Sequence, residues 1–233
     1  VTYYSEMSTG GLVGDAKSSH IDNCCNEANI IAAEGVGGIV GKLENNSSVN
    51  NSSNKGYIKG KAETGGIIGV CIDSSISNSN NNGDIYSVGI AGYNGYSHSY
   101  AGGLIGLNAG NMSIINSYNT GNITNTDDYG SSMNAGAGGI IGYSDNNCII
   151  ITHCYNTGNI KNMCCRAYTG GIIGSGNGII NNCYNIGDLS IYSEYHYNGI
   201  SYSGGIIGYG NVNLSNCYNK GDISSYTSIR TYL

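Results

Sequence analysis

Seven asparagines hold one position in a repeating frame: Asn26, Asn54, Asn81, Asn119, Asn156, Asn185 and Asn219. Each lies two residues before a small anchor residue, namely Ala28, Gly56, Gly83, Gly121, Gly158, Gly187 or Gly221. Ile21, Val49, Ile76, Ile114, Ile151, Ile180 and Leu214 precede the anchors by a constant interval, and Ile30, Ile58, Ile85, Ile123, Ile160, Leu189 and Ile223 follow them. A Gly-Gly-apolar-apolar-Gly box opens each copy, at Gly10, Gly37, Gly65, Gly102, Gly138, Gly170 and Gly204. A single copy cannot bury its own apolar column, so a chain of this kind folds by stacking its copies.

The unit is built of strands. Its apolar runs are short, rich in isoleucine and bounded by Gly, Asn and Ser, and no long stripe of helical period exists. Asn and Gly supply corners between flat faces. The expected fold class is therefore all-β, a parallel β-solenoid of seven coils, right-handed by the usual rule for parallel connections. Each coil is read as three short strands, and at the strand spacing seven coils make a rod of about 34 Å. Residues 1–233 form one repeat domain. The distance from box to anchor is nearly constant, whereas the return to the next box varies, so insertions emerge at one corner.

With 39 Gly, no Pro, no Phe and no Trp, the interior must be narrow and filled by aliphatic and small residues. A net charge of −6 without a basic stripe excludes nucleic acid and anionic membrane surfaces as partners. No apolar run reaches the roughly 18 residues of a helical membrane span, so membrane insertion is not expected. The start at Val1, directly before a repeat, reads as a fragment of a longer exported protein. Strand edges at the solenoid ends call for capping by flanking domains or further repeats.

Four of the 9 cysteines, Cys24, Cys154, Cys183 and Cys217, share one column with Ser52, Ser79 and Ser117. Exchange of Cys with Ser indicates selection for small volume and predicts a buried ladder of free thiols. Neither Cys24-Cys25 nor Cys164-Cys165 has the spacing of a zinc site, and no metal or other cofactor is expected. Cys71 and Cys148 are expected to be partly exposed. The Asn columns, including the one where His153 replaces asparagine, predict side-chain amides bonded coil to coil. Tyr118, Tyr155, Tyr184 and Tyr218 should form an outward line, either stacked on one another or offered to a ligand.

Binding residues are sought in the Tyr-rich insertions: Tyr93, Tyr96, Tyr192, Tyr195, His196, Tyr197 and Tyr202. Tyrosine gives contact area at low entropic cost. An enzymatic alternative places Asp188 and Asp222 in consecutive coils about 5 Å apart, a separation used in glycoside hydrolysis. Asn occupies that column in other copies, which favours a turn. No hydrolase motif surrounds the four dispersed histidines.

The box Gly102-Gly103-Leu104-Ile105-Gly106, followed by Ile115-Asn116-Ser117-Tyr118-Asn119-Thr120-Gly121-Asn122-Ile123, resembles the GLUG repeat family. The likeness extends over all seven copies, departing at Ala28 and in the long insertions. It implies a β-helical module of large bacterial surface or secreted proteins, among them filamentous haemagglutinin-type adhesins and IgA-specific metallopeptidases. In those proteins the repeats are stalk or accessory segments. The expected role is thus a non-catalytic stalk and adhesion module, extracellular or at the cell surface, meeting a host or environmental glycan or protein.

Overall fold

A computed structural model of the chain describes residues 7–89, 98–126, 134–145, 149–194 and 200–228. It contains five parallel sheets of seven strands each, and each sheet takes one strand from every coil in sequence order. Each coil has five short strands rather than the three expected. In coil 5 these are face one, Asn134–Gly138; face two, Ile141–Ser144; face three, Ile149–Thr152; face four, Tyr155–Asn156; and face five, Ile160–Met163. The extra corner has a clear cause. The column Asn23, Asn51, Asn78, Asn116, His153, Asn182 and Asn216 is left-handed throughout, with φ between 48° and 55°. It therefore breaks a run read as one strand into faces three and four, and asparagine tolerates that conformation better than other non-glycine residues.

The register places like residues over like. Ile76 pairs with Ile114 and Ile114 with Ile151 on face three. On face five Ile58, Ile85, Ile123 and Ile160 follow one another. Because side chains alternate in and out along a strand, a slip of one residue would expose both isoleucine columns. Burying them in unison fixes the register.

The apolar interior has more than one compartment. One cluster joins faces two and three, with Ile105, Ile114, Ile141, Ile151 and Ile173 fully enclosed. Another joins faces five and one, around Ile85, Ala101, Ile123, Ala137 and Ile160. Between them the coil is pinched, because the box on one wall meets the asparagine column on the other. A methyl group at Gly139 would lie 2.5 Å from Asn156 Cβ. Gly103 faces Asn119 and Gly171 faces Asn185 in the same way. The second glycine of each box is therefore required for space rather than for backbone freedom.

Candidate functional site

Asparagine side chains run through the waist as one hydrogen-bonded line. Asn26 Nδ2 donates to Asn54 Oδ1 at 2.7 Å, and the same 2.7 Å bond passes through Asn81, Asn119, Asn156 and Asn185 to Asn219. The other amide hydrogen of each goes to its own anchor carbonyl, as in Asn156 to Gly158 at 2.7 Å. Each interior amide so satisfies both of its hydrogens and accepts one bond while buried. Beside it runs the Cys/Ser column. Ser79 Oγ donates to the Ser77 carbonyl at 2.8 Å and accepts the Ser52 N–H at 3.1 Å. Cys183 repeats the arrangement, bonding Asn181 O at 3.2 Å and taking the Cys154 N–H at 3.4 Å. Small volume alone does not explain the column: it needs an atom that both donates and accepts, which Ser and Cys provide and Ala does not.

The thiols Cys154 and Cys183 are free and buried, and Cys217 is free and half-buried. The Cys183 partner and burial push the Cys154 thiol up, while the hydrogen bond from Cys154 draws Cys183 down. Cys71, expected to be partly exposed, is instead fully buried, and burial pushes its thiol up to about 12. It is the last residue of face two in coil 3, Ile68–Cys71, and its side chain lies in the larger cluster. Cys148 lies outside the described residues.

Two sets of exposed groups were candidates for chemistry or contact. Asp188 and Asp222 occupy a turn column. Asp188 Oδ1 accepts the Asp222 N–H at 2.9 Å, as Asn159 Oδ1 accepts the Asp188 N–H at 2.9 Å and Asn122 Oδ1 the Asn159 N–H at 3.1 Å. Aspartate does there what asparagine does, so the enzymatic alternative has no support from this pair. The tyrosines of face four stack on one another. Ring centroids are 4.7, 4.9 and 5.1 Å apart from Tyr118 to Tyr218, with planes within 3°. Their faces are used by their neighbours, leaving mainly ring edges for a ligand.

A different tyrosine surface lies outside the box, where the outer sides of faces one and two fold toward each other. Tyr100 of face one stacks on Tyr143 of face two at 4.5 Å. Gly136, between Tyr100 and Tyr168 in the register, packs against face two, where a methyl group would overlap the Gly142 carbonyl oxygen. Toward coil 7, Tyr168, Tyr202 and Tyr209 form a three-ring cluster with centroids 5.3 to 6.0 Å apart. With Arg166 and Ile200 they line a cleft of about 280 Å³. At the other end of this groove, His98 stacks on Tyr100, and its Nε2 lies 2.7 Å from Oε1 of buried Glu63. Glu63 Oε2 is buried with no hydrogen-bond partner among the described residues. Burial, then the neighbouring Tyr143 and Glu63, holds the Tyr100 phenol well above its ordinary range. A larger hollow of about 810 Å³ includes Ser47, Asp73, Ser74 and Asn111. Some of its polar groups are engaged in turn bonds: Ser74 to Ile72 O at 2.9 Å and Asn111 N–H to Asp73 at 2.8 Å.

Of the insertion residues singled out from sequence, Tyr202 belongs to the groove. Tyr192 lies on face five instead, stacked on Tyr226 at 5.0 Å with Lys161 Nζ 5.0 Å from its ring. Tyr93, Tyr96, Tyr195, His196 and Tyr197 lie outside the described residues. Sequence reasoning missed Tyr100, Tyr143, Tyr168 and Tyr209. Their signal was positional: Tyr100, Tyr168 and Tyr202 each stand two before the box, and Tyr143 and Tyr209 directly after its last glycine. No cluster of metal-ligating side chains occurs among the described residues.

Stacked five-faced coils with in-register asparagine and isoleucine columns define a parallel β-solenoid repeat protein. The family model of the GLUG motif matches residues 97–124 and 133–161, the segments that build coils 4 and 5, so the chain carries GLUG repeats. No curated protein and no solved structure matches it.

Proposed function

We propose that the chain is a non-catalytic stalk and contact module of a bacterial cell-surface or secreted protein, and that it meets a glycan or protein ligand through the tyrosine groove at coils 6 and 7. The observation carrying this reading is the Tyr168–Tyr202–Tyr209 cluster beside Arg166. Tyr202 and Tyr209 are exposed, so aromatic surface is open at that end of a rigid frame. Tyrosine rings offer apolar faces and polar tips to sugars and to protein side chains alike. The register of five sheets gives a fixed spacing along the axis, which suits display.

Binding of the purified chain to glycan and extracellular-protein arrays tests the proposal. Retention lost in a Tyr202→Ala, Tyr209→Ala double variant of unchanged Tm is the expected result. Retention equal in both proteins would move the contact surface elsewhere, and no retention of the native chain would reduce it to a passive stalk.

A further inference from the structure

The two ends of the solenoid differ in how they could be extended. From coil 2 onward every anchor is glycine, and a methyl group at Gly56 would overlap the carbonyl oxygen of Ala28 in the coil before. The same overlap with the preceding anchor recurs at each later anchor glycine. The coil on the N-terminal side thus leaves no space for a side chain. Coil 1 carries Ala28 at this position, where no described coil precedes it.

The asparagine line ends differently too. Asn26 Oδ1 turns back to accept its own Ala28 N–H at 3.2 Å. At coil 7, Asn219 accepts from Asn185 and gives one hydrogen to Gly221 O at 2.8 Å, leaving its second amide hydrogen without an acceptor among the described residues. The apolar columns follow the same polarity. Leu214 and Ile223 are 46% and 47% exposed, whereas Ile21 and Ile30, their counterparts in coil 1, are each 9% exposed.

We propose that the solenoid is extensible at one end only: coil 7 is a docking face for a further coil of the same repeat, and Ala28 closes coil 1 to one. The chain already makes this coil-to-coil interface between each of its successive coils, so the occupant is defined by continuity with it. It brings parallel strand edges, an asparagine whose Oδ1 meets Asn219, apolar residues over Leu214 and Ile223, and glycine at its anchor. A second copy of the chain does not meet that description, because its leading coil carries Ala28. The device also keeps copies from adding end to end, a hazard of open strand edges.

Residues 36–63, one compact coil, provide the test. They are fused in place of residues 229–233, or in place of residues 1–8, with and without Ala28→Gly. The C-terminal fusion is expected to raise Tm by several degrees and to protect the added coil from protease. The N-terminal fusion is expected to gain nothing until Ala28→Gly is introduced, which then restores both gains. Equal gains at the N-terminus with Ala28 in place would overturn the proposal. So would a C-terminal coil that is cleaved as fast as an unfolded segment, or an N-terminal coil that Ala28→Gly fails to rescue.

Discussion

Two columns share the narrow face four, one pointing inward and one outward, and they tolerate change very differently. The inner column is asparagine in all seven coils. The outer one, a single residue earlier, reads Cys25, Ser53, Asn80, Tyr118, Tyr155, Tyr184 and Tyr218. An inner amide is fixed from four directions: the coil before, the coil after, its own anchor carbonyl and the box glycine pressed against it. An outer ring answers only to the rings above and below. Permissiveness therefore follows the number of partners that would have to change together.

The sharpest way to break that contrast is to disturb the waist. Gly139→Ala puts a methyl group 2.5 Å from Asn156 Cβ and into overlap with the Gly171 carbonyl oxygen, so both walls must separate. Overpacking costs about 1–3 kcal/mol where side chains can give way, and more is expected where backbone cannot. Loss of the cooperative thermal transition, or a fall in Tm larger than for any variant below, is the expected outcome. Asn156→Ala comes next. It strands the Asn119 amide, the Asn185 carbonyl oxygen and the Gly158 carbonyl, all buried. At about 1–3 kcal/mol per unsatisfied group, partly relieved by water, a loss of roughly 3–5 kcal/mol by urea denaturation is expected. A loss below about 1 kcal/mol would mean that the amide line contributes little beyond a neutral filler.

The same contrast explains what could be read from the sequence. Columns such as Asn156 and Ile151 were legible because each coil imposes one identical demand on one position, and seven repetitions make that demand visible. The number of faces was not, because the corner at His153 depends on a backbone torsion that no apolar period encodes. Cys71 was misplaced for a related reason: it sits at the end of face two, where strand alternation gives way to a turn. The groove was missed because its residues come from two faces and a different subset of coils each time. Tyr100 meets Tyr143, whereas Tyr168 meets Tyr209, and only folding the box corner brings either pair together. Asn125 and Asn162, buried between faces five and one, escaped notice because they belong to two coils rather than seven.

On the outer column the expected effect is smaller. Tyr155→Ala removes ring contacts at 4.7 and 4.9 Å but opens no buried polar group. Aromatic pairs contribute about 0.5–1.5 kcal/mol beyond area burial, so a loss of about 1–2 kcal/mol is expected by urea denaturation. Tyr155→Ser, which restores the residue type of Ser53, should behave like Tyr155→Ala. A cost matching that of Asn156→Ala would erase the distinction between the inner and outer columns.

The weakest effect is a pH dependence seen only at alkaline pH, and it separates the groove from the stacked strip. Burial first, then Tyr143 and Glu63, raises the Tyr100 phenol above its ordinary value of 10.0. The folded protein therefore favours the neutral ring, while the unfolded chain ionises at its ordinary value. Stability from this group is complete below about pH 10 and is lost as pH rises beyond it. Tyr155 is raised in the same direction, again chiefly by burial, but it stands on the outer strip. Melting curves from about pH 8 to about pH 11 should show a decline that Tyr100→Phe flattens clearly and Tyr155→Phe flattens less. Equal flattening by the two variants would show that the groove encloses its tyrosine no more completely than face four does.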